Sequence, residues 1–380
     1  MLERPTGGDR ALIVALAFAR EARAERMTEI CALATSAGAT IAGEIGGTRA
    51  RPDPATFAGR GKVDEIKALR AETGADLVIF DHALSGVQQR NLEQALACRV
   101  VDRTSLILDI FAQRARSAEG KLQVELAQLN HLATRLAGGW THLERQKGGI
   151  GLRGPGETQL ETDRRLIGQR VKLLNERIAR VAVSRATQSR TRRRAAVRTL
   201  ALVGYTNAGK STLFNRLTKA RVHAADQLFA TLDTTLRRFH VDGAEELVLS
   251  DTVGFIRDLP HDVIAAFRAT LAEAADADLL LHVIDAHAFD RDAQVEAVDA
   301  VLAAVGASAV PQIRVLNKCD LAGLPPGVER DGCGNISTVR VSALTGAGCA
   351  ELRAALAERF PRENSYKTTP DHDQAPALPG

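Results

Sequence analysis

The chain has 380 residues, of which 45% are hydrophobic and 25% are charged, and it carries a formal net charge of +4. This length predicts more than one domain, and the composition is that of a globular protein with ample material for its cores. No apolar run approaches about 20 residues, so we expect no transmembrane helix. The N-terminal segment lacks the apolar core of a signal peptide, so we expect a cytoplasmic protein. The scattered cysteines include no CxxC pair, which favours reduced thiols over a disulfide framework or a zinc site.

The first 110 residues alternate short apolar runs with amphipathic stretches. The predicted elements, in chain order, are a strand at 11–17, an amphipathic helix at about 20–37, a short strand near Ile41, a loop that opens a helix at 57–74, a strand at 75–81, a helix at 85–96 and a strand at 99–102. Strands that alternate with helices are typical of a parallel sheet. We therefore predict a small parallel α/β domain over residues 1–110.

Residues 111–197 have a different pattern. Leucines recur every three or four residues from Leu122 to Leu136, and a second apolar stripe runs from Leu166 to Val181, with a glycine-rich stretch at 137–157 between them. Two amphipathic stretches joined by a loop predict an antiparallel helical hairpin. A basic connector at 184–198 ends it. Alternation returns over 198–360 and predicts a second α/β domain, whereas the polar tail, 361–380, is predicted to be disordered.

The sequence GYTNAGKST, residues 204–212, follows the apolar run TLALV and matches the phosphate-binding motif GxxxxGK[ST]. Its glycines let backbone N–H groups turn toward phosphates, and the N-terminus of the following helix favours anions. In this motif the lysine reaches the β- and γ-phosphates and the serine binds Mg²⁺. We therefore predict these roles for Lys210 and Ser211 in a P-loop.

A second motif, DTVG, ends a predicted buried strand. Asp251 fits the acid that holds Mg²⁺ through water, and the N–H of Gly254 fits the γ-phosphate sensor. Between the two motifs, FATLDTT (229–235) offers Thr231, Thr234 and Thr235 as a further Mg²⁺ ligand. Chemistry alone does not choose among these three threonines.

The sequence VLNKCD, residues 315–320, predicts which base is bound. After a strand, Asp320 can accept hydrogen bonds from N1–H and the exocyclic amine of guanine, and adenine offers no such pair. Hydrogen bonds to a charged group contribute about 1.5–3 kcal/mol each, so Asp320 favours GTP. The stem of Lys318 would cover the base, Asn317 would tie loops together, and SALTG (342–346) fits the loop that meets the guanine oxygen. These motifs, in this order, specify a GTPase.

Two positions leave alternatives open. Phe255 follows DTVG where Ras-like GTPases have a glutamine that orients the attacking water. Because a phenyl ring forms no such hydrogen bond, either the protein does not hydrolyse nucleotide or another group places the water. Asn207, the fourth residue of the loop, is either a loop-capping side chain or a carbonyl ligand for K⁺, as in potassium-activated GTPases.

The motifs together resemble one family. The segment GGIGLRGPGETQLETDRR (148–165), upstream of GYTNAGKSTLFNRLT, DQLFATLDTT, DTVGFIRDLP and ADLLLHVIDA, is similar to HflX, a ribosome-associated GTPase family of the TRAFAC class, as is FAGRGKVDEI near the N-terminus. The resemblance covers roughly residues 10–360. It implies an N-terminal α/β domain, a helical hairpin and a C-terminal P-loop G domain.

The resemblance also implies which residues form the site. Thr231 joins Ser211 as a Mg²⁺ ligand, and Lys210, Thr231 and Gly254 act in hydrolysis. The positions implied to contact GTP or Mg²⁺ are Gly204, Tyr205, Thr206, Asn207, Ala208, Gly209, Lys210, Ser211, Phe229, Ala230, Thr231, Leu232, Asp233, Asp251, Thr252, Val253, Gly254, Asn317, Lys318, Cys319, Asp320, Ser342, Ala343 and Leu344.

The partner implied by the resemblance is the 50S ribosomal subunit. We expect this subunit to accelerate an otherwise slow GTP hydrolysis. We also expect the protein to be monomeric and to recycle stalled or idle ribosomes. Charge is consistent with an RNA partner, because residues 163–198 hold twelve Arg and Lys against two acids. The basic residues are Arg164, Arg165, Arg170, Lys172, Arg177, Arg180, Arg185, Arg190, Arg192, Arg193, Arg194 and Arg198. The glycine-rich loop adds Arg145, Lys147 and Arg153, with Trp140 either stacking on a base or packing on the hairpin.

Two other functions stay open at this point. One is a GTP-dependent regulator of a protein partner such as a membrane protease complex, with peripheral membrane association. The other is an ATP-using RNA remodelling enzyme, which needs a second nucleotide site within residues 1–110, where GRGK (59–62) is too short to be a P-loop.

Overall fold

The computed structural model describes residues 9–18, 23–139, 159–194, 197–219 and 228–362. The elements in chain order are β1 Arg10–Phe18, α1 Arg23–Ser36, β2 Thr40–Arg49, α2 Arg60–Thr73, β3 Leu77–Phe80, α3 Gly86–Leu96, β4 Arg99–Asp102, α4 Arg103–Arg114, α5 Ala118–Gly139, α6 Gln159–Arg194, β5 Arg198–Val203, α7 Lys210–Thr218, β6 Thr235–Phe239, β7 Leu247–Asp251, α8 His261–Ala266, α9 Arg268–Ala275, β8 Leu279–Asp285, α10 Arg291–Ala304, β9 Gln312–Asn317, β10 Gly327–Arg330, β11 Ile336–Arg340 and α11 Cys349–Arg359.

The N-terminal sheet is parallel, in the order β2-β1-β3-β4, which confirms the predicted parallel α/β architecture. Strand β1 is buried from Ala11 to Ala17, as its unbroken apolar run requires. Strand β2 is longer than predicted, since it pairs with β1 as far as Arg49 after one register shift between Ala11 and Leu12. Its glycines have a packing reason, because a Cβ at Gly43 would lie 3.2 Å from Leu12 Cδ1.

The C-terminal sheet has the order β10-β11-β9-β8-β5-β7-β6, with only the outer strands β10 and β6 antiparallel to their neighbours. Three nucleotide motifs follow the carboxyl ends of β5, β7 and β9, and the SALTG loop follows β11. The carboxyl edge of an open parallel sheet is where such folds bind ligands. The predicted P-loop domain is therefore confirmed as a fold.

The predicted hairpin corresponds to α5 and α6, which pack on each other and are joined by an ion pair of 2.7 Å between Arg170 and Glu125. The basic connector differs from prediction, because α6 continues through it to Arg194. Arginine and alanine are good helix formers, so the charge run extends the helix.

Helix α4 was not predicted, and Asp102 caps it by accepting a hydrogen bond from Ser105 N–H (2.9 Å).

Most of the glycine-rich loop, Trp140 included, lies outside the described residues, as does the predicted disordered tail from residue 363. Within the described ranges, no helix has both the length and the apolar character needed to cross a bilayer.

One hydrophobic core joins the N-terminal and C-terminal sheets. It includes Ile13 and Phe111 from the N-terminal half and Phe229, Phe255 and Phe267 from the C-terminal half. Phe111 makes edge-to-face contacts with Phe229 and Phe267, at centroid distances of 4.7 and 4.9 Å. The nucleotide motifs are thus packed directly against the N-terminal half.

Candidate nucleotide site

The P-loop requires glycine at two positions. Gly204 has φ +148° and Gly209 has φ +93°. A Cβ at Gly204 would lie 2.1 Å from the carbonyl oxygen of Val283, and one at Gly209 would lie 2.1 Å from Nδ2 of Asn317. A side chain at either position would therefore displace strand β8 or the base-reading loop.

Lys210 begins α7 and is buried beneath the loop. Its Nζ donates hydrogen bonds to the carbonyl oxygens of Gly204 (3.0 Å) and Tyr205 (2.6 Å). Burial lowers the pKa of Lys210 to about 8, an effect that the carboxylate of Asp251 partly offsets. A phosphate beside this ammonium group would favour its charged form and raise the pKa again.

Three oxygen-bearing side chains converge beside Lys210. Ser211 Oγ and Thr231 Oγ1 lie 2.7 Å apart, and they donate hydrogen bonds to Asp251 Oδ2 at 2.8 and 3.0 Å. Asp251 is fully buried, and its other oxygen, Oδ1, has no hydrogen-bond partner among the described residues. Burial raises the pKa of Asp251, and the bond from Ser211 opposes this. Hydroxyl and carboxylate oxygens are ligands that Mg²⁺ prefers, so this donor set fits that ion.

Gly254 faces the P-loop at close range. A Cβ there would lie 3.0 Å from Thr206 Cα and 3.1 Å from Lys210 Nζ. The next residue, Phe255, pairs with the loop through its backbone, because its N–H donates to Gly204 O (3.1 Å) and its carbonyl accepts from Thr206 N–H (2.7 Å). The Phe255 side chain is completely buried in the shared core.

The base-reading motif is held by one amide. Asn317 Nδ2 donates to Ala208 O (2.8 Å), and its Oδ1 accepts from Ala343 N–H (2.9 Å). This side chain therefore ties the P-loop to the SALTG loop, as the sequence predicted. Asp320 and Leu344 are exposed beside it, whereas Cys319 and Ser342 are buried and support the loops.

Comparison with known proteins assigns the chain to a family. It is 55% identical over 369 residues to GTPase HflX of Escherichia coli (strain K12), an alignment that covers 97% of this chain and 87% of that protein. The chain belongs to the HflX family of GTPases. GTPase HflX of Caldanaerobacter subterraneus is 45% identical over 355 residues, covering 93% of this chain and 81% of the relative.

Family descriptions match successive parts of the chain. Residues 24–112 match the GTP-binding GTPase N-terminal family, 114–192 the GTP-binding GTPase middle region, and 199–318 the 50S ribosome-binding GTPase family. Among solved structures, the SsGBP–GDP complex has a TM-score of 0.51 at 22% identity and covers 92% of this chain and 98% of that one, which supports the fold. The chain is thus a GTPase with a nucleotide substrate, as predicted.

One pocket brings together many of the predicted residues. Its lining comprises Thr206, Asn207, Gly209, Lys210, Ser211, Thr212, Phe229, Ala230, Thr231, Thr252 and Gly254. Leu232 and Val253 are instead buried in the shared core, and Asp233 points its carboxylate at the start of α5. Asn207 is exposed at the rim with φ +59°.

Sequence reasoning missed several residues that support the nucleotide site. Asp285, at the end of β8, accepts an ion-pair bond from Lys318 Nζ (2.7 Å). Arg216 donates to Ala343 O (3.1 Å) and so holds the SALTG loop. The place of Asp285 at a strand end was a usable signal, because carboxyl ends of parallel strands share one edge. Arg216 lies within α7, and nothing in the local sequence distinguished it.

Missed contacts also cross to the N-terminal half. Glu29 of α1 accepts a hydrogen bond from the Tyr205 hydroxyl and pairs with Arg103. Arg103 is buried, binds Asp81 (2.7 Å) and donates to the carbonyl of Arg257 (2.9 Å). A buried charge network therefore joins the P-loop and the segment after DTVG to the N-terminal sheet.

Proposed function

We propose that this GTPase binds the 50S ribosomal subunit in its GTP-bound state and that the subunit accelerates hydrolysis. The observation that carries the proposal is the burial of the Phe255 side chain in the shared core, so that this position offers no polar side chain to orient the attacking water. Groups that order the attacking water or supply charge from outside contribute about 10³–10⁵ in rate to GTPases. The match of residues 199–318 to a family described as 50S ribosome-binding supports this partner.

For the chemistry, we propose Ser211 and Thr231 as Mg²⁺ ligands, with Asp251 holding the ion through water. When bound, the ion neutralises negative charge on the phosphates. Lys210 reaches the β- and γ-phosphates, and the N–H of Gly254 senses the γ-phosphate. The unpartnered Oδ1 of Asp251 and the converging hydroxyls support this assignment. Asp320 reads guanine, and Asn207 is a candidate K⁺ ligand, so we expect faster turnover in KCl than in NaCl.

The proposed RNA-binding surface is the exposed face of α6. Arg164, Lys172, Arg177 and Arg180 are all exposed along this helix. Phosphate neutralisation by these exposed basic side chains makes binding steeply dependent on salt. We further propose the division of the chain into residues 1–110, 111–197 and 198–360, with a separate tail at 361–380, so that α6 connects the N-terminal domain to the G domain.

The first experiment measures GTP hydrolysis with and without purified 50S subunits. We expect slow turnover alone and stimulation of at least about 10³-fold with the subunit. Co-sedimentation with a non-hydrolysable GTP analogue tests binding, and light scattering of 70S ribosomes tests subunit separation, which we propose as the physiological act. Full-speed turnover without subunits, or no stimulation by them, refutes the proposal and favours a protein partner instead.

Matched charge reversals test the surface. Arg177→Glu with Arg180→Glu changes the exposed face of α6, and Arg60→Glu with Lys67→Glu makes the same change on α2, where both side chains are also exposed. We expect the α6 pair to weaken co-sedimentation and flatten its salt dependence, and the α2 pair to behave as wild type. Equal effects of the two pairs would exclude α6 as the specific contact. Deleting 148–156, which lies outside the described residues, tests the glycine-rich loop in the same assay.

A further inference from the structure

The segment that carries Thr231 is held by residues outside the G domain. Asp233, two residues after Thr231, accepts hydrogen bonds through Oδ2 from the N–H groups of Arg116 and Ser117, both at 2.8 Å. Ser117 Oγ donates to Asp233 Oδ1 and accepts a bond of 2.8 Å from Gly120 N–H. We call these four residues, Asp233, Arg116, Ser117 and Gly120, the α5 clasp.

The clasp has a simple electrostatic basis. Helix α5 begins at Ala118, and the first N–H groups of a helix have no partner within it. Ser117 Oγ satisfies one of these groups, Gly120 N–H, and the Asp233 carboxylate accepts from the two N–H groups just before the helix, where negative charge interacts favourably with the helix dipole. Here the carboxylate comes from a segment 116 residues away along the chain from Ser117, so a nucleotide-site loop completes the start of a hairpin helix.

The contact leaves no space for a side chain at Gly120. A Cβ at Gly120 would lie only 2.2 Å from Asp233 Oδ1 and 3.1 Å from Ser117 Oγ. Any larger residue would therefore push the carboxylate off the helix end. Elsewhere in the hairpin, a Cβ added at Gly168 of α6 meets no other part of the described chain within 4 Å.

Two further contacts fix the same segment on its other side. Leu228 N–H donates to Ser36 Oγ at the end of α1 (3.0 Å). The Phe229 ring packs edge-to-face on Phe111 of α4, with centroids 4.7 Å apart. Thr231 lies between these anchors and the clasp, with its hydroxyl 3.0 Å from Asp251 Oδ2. Three helices outside the G domain therefore set the position of this hydroxyl.

We infer that Asp233, Ser117 and Gly120 are positioning residues for GTP hydrolysis. They hold Thr231 where it ligates Mg²⁺, a role that rests on the proposed function. Because Thr231 is needed only when the γ-phosphate and its ion are bound, the clasp stabilises the GTP complex and leaves GDP binding unchanged. The same contact makes the stability of the start of α5 depend on whether GTP or GDP is bound.

The decisive test compares Gly120→Ala with Gly168→Ala. Both changes replace a helical glycine with a better helix former, which favours folding, but only the first displaces Asp233. We expect Gly120→Ala to weaken binding of a non-hydrolysable GTP analogue in Mg²⁺ about tenfold, equivalent to about 1.4 kcal/mol. The Mg²⁺ concentration for half-maximal single-turnover hydrolysis rises to a similar extent, whereas GDP affinity stays within about twofold. Gly168→Ala matches wild type in every measurement.

Ser117 supplies an independent check in case Gly120→Ala does not fold. Ser117→Ala removes the hydroxyl that bridges Gly120 and Asp233, and we expect the same selective loss for the GTP analogue. Ser117→Thr retains the hydroxyl and restores wild-type behaviour. Ser85→Ala removes a comparable helix cap from α3, away from the site. We expect it to leave the affinities for the GTP analogue and for GDP unchanged. Equal weakening of GTP and GDP, or no change in Gly120→Ala and Ser117→Ala, overturns the inference.

Thr231→Ala separates this inference from the proposed function. If it hydrolyses GTP with a normal Mg²⁺ requirement, the proposed ligand role of Thr231 fails. If it loses activity while Gly120→Ala and Ser117→Ala remain normal, the ligand role stands and the clasp alone is refuted.

Discussion

Replacing Phe255 with glutamine restores the residue type that orients water in Ras-like GTPases, but the structure predicts no gain in catalysis. Phe255 is completely buried in the core shared by the two sheets. Truncating a buried phenylalanine to alanine costs about 3–5 kcal/mol. Glutamine refills part of that volume but buries an amide, and an unsatisfied polar group costs about 1–3 kcal/mol. We therefore expect Phe255→Gln to lower the free energy of unfolding by at least about 3 kcal/mol.

The folded fraction of this variant should still bind GTP. The hydrogen bonds between Phe255 and the P-loop involve its backbone only, so they survive the substitution. Urea unfolding measures the stability, and single-turnover hydrolysis without ribosomes measures the chemistry. Phe255→Leu, the control, keeps most of the apolar volume and should cost less than about 1.5 kcal/mol. A large rate increase in Phe255→Gln with unchanged stability would refute the reasoning, because the side chain would then face the nucleotide.

Three further predictions concern charge. Asp320→Asn should reduce the preference for GTP over ATP by about 10- to 100-fold in competition binding, because a charged acceptor contributes about 1.5–3 kcal/mol per bond. Burial lowers the pKa of Lys210 to about 8, and phosphates favour its protonated form. GTP affinity should therefore be full below about pH 8 and fall up to tenfold per pH unit above it, as measured by calorimetry. Arg103→Met should lower the free energy of unfolding by about 3 kcal/mol, because it leaves the buried carboxylate of Asp81 paired with Arg26 alone. The control is Arg330→Met, which removes an exposed ion pair with Glu358 and should unfold like wild type.

The nucleotide motifs were predictable because each is a short contiguous stretch with a fixed chemical task. The turn at Gly204, the amide of Asn317 and the carboxylate of Asp251 act within a few residues of a strand end, where local sequence dictates backbone shape. Their convergence followed from a general property of parallel sheets, whose carboxyl ends meet at one edge. The alternation of strands and helices predicted the α/β architecture because it, too, is a pattern of neighbouring residues.

Other features depended on distant parts of the chain. The length of β2 is set by pairing with β1 and by the packing of Leu12 over Gly43. Helix α6 runs through a segment that charge density alone marked as a connector. Nothing in the local sequence pairs Arg103 with Asp81, and only their burial against the segment after DTVG reveals a network.

The sequence by itself determined the family, the GTPase chemistry and the order of the phosphate- and base-binding motifs, since these reside in local patterns of residue type. The tertiary structure decided which way key side chains point. It turns Phe255 into the core and Asp233 onto the start of α5. Direction is set by burial and by partners far along the chain, here the apolar face of the N-terminal half and the N–H groups of Arg116 and Ser117 just before α5. No reading of neighbouring residues contains that information.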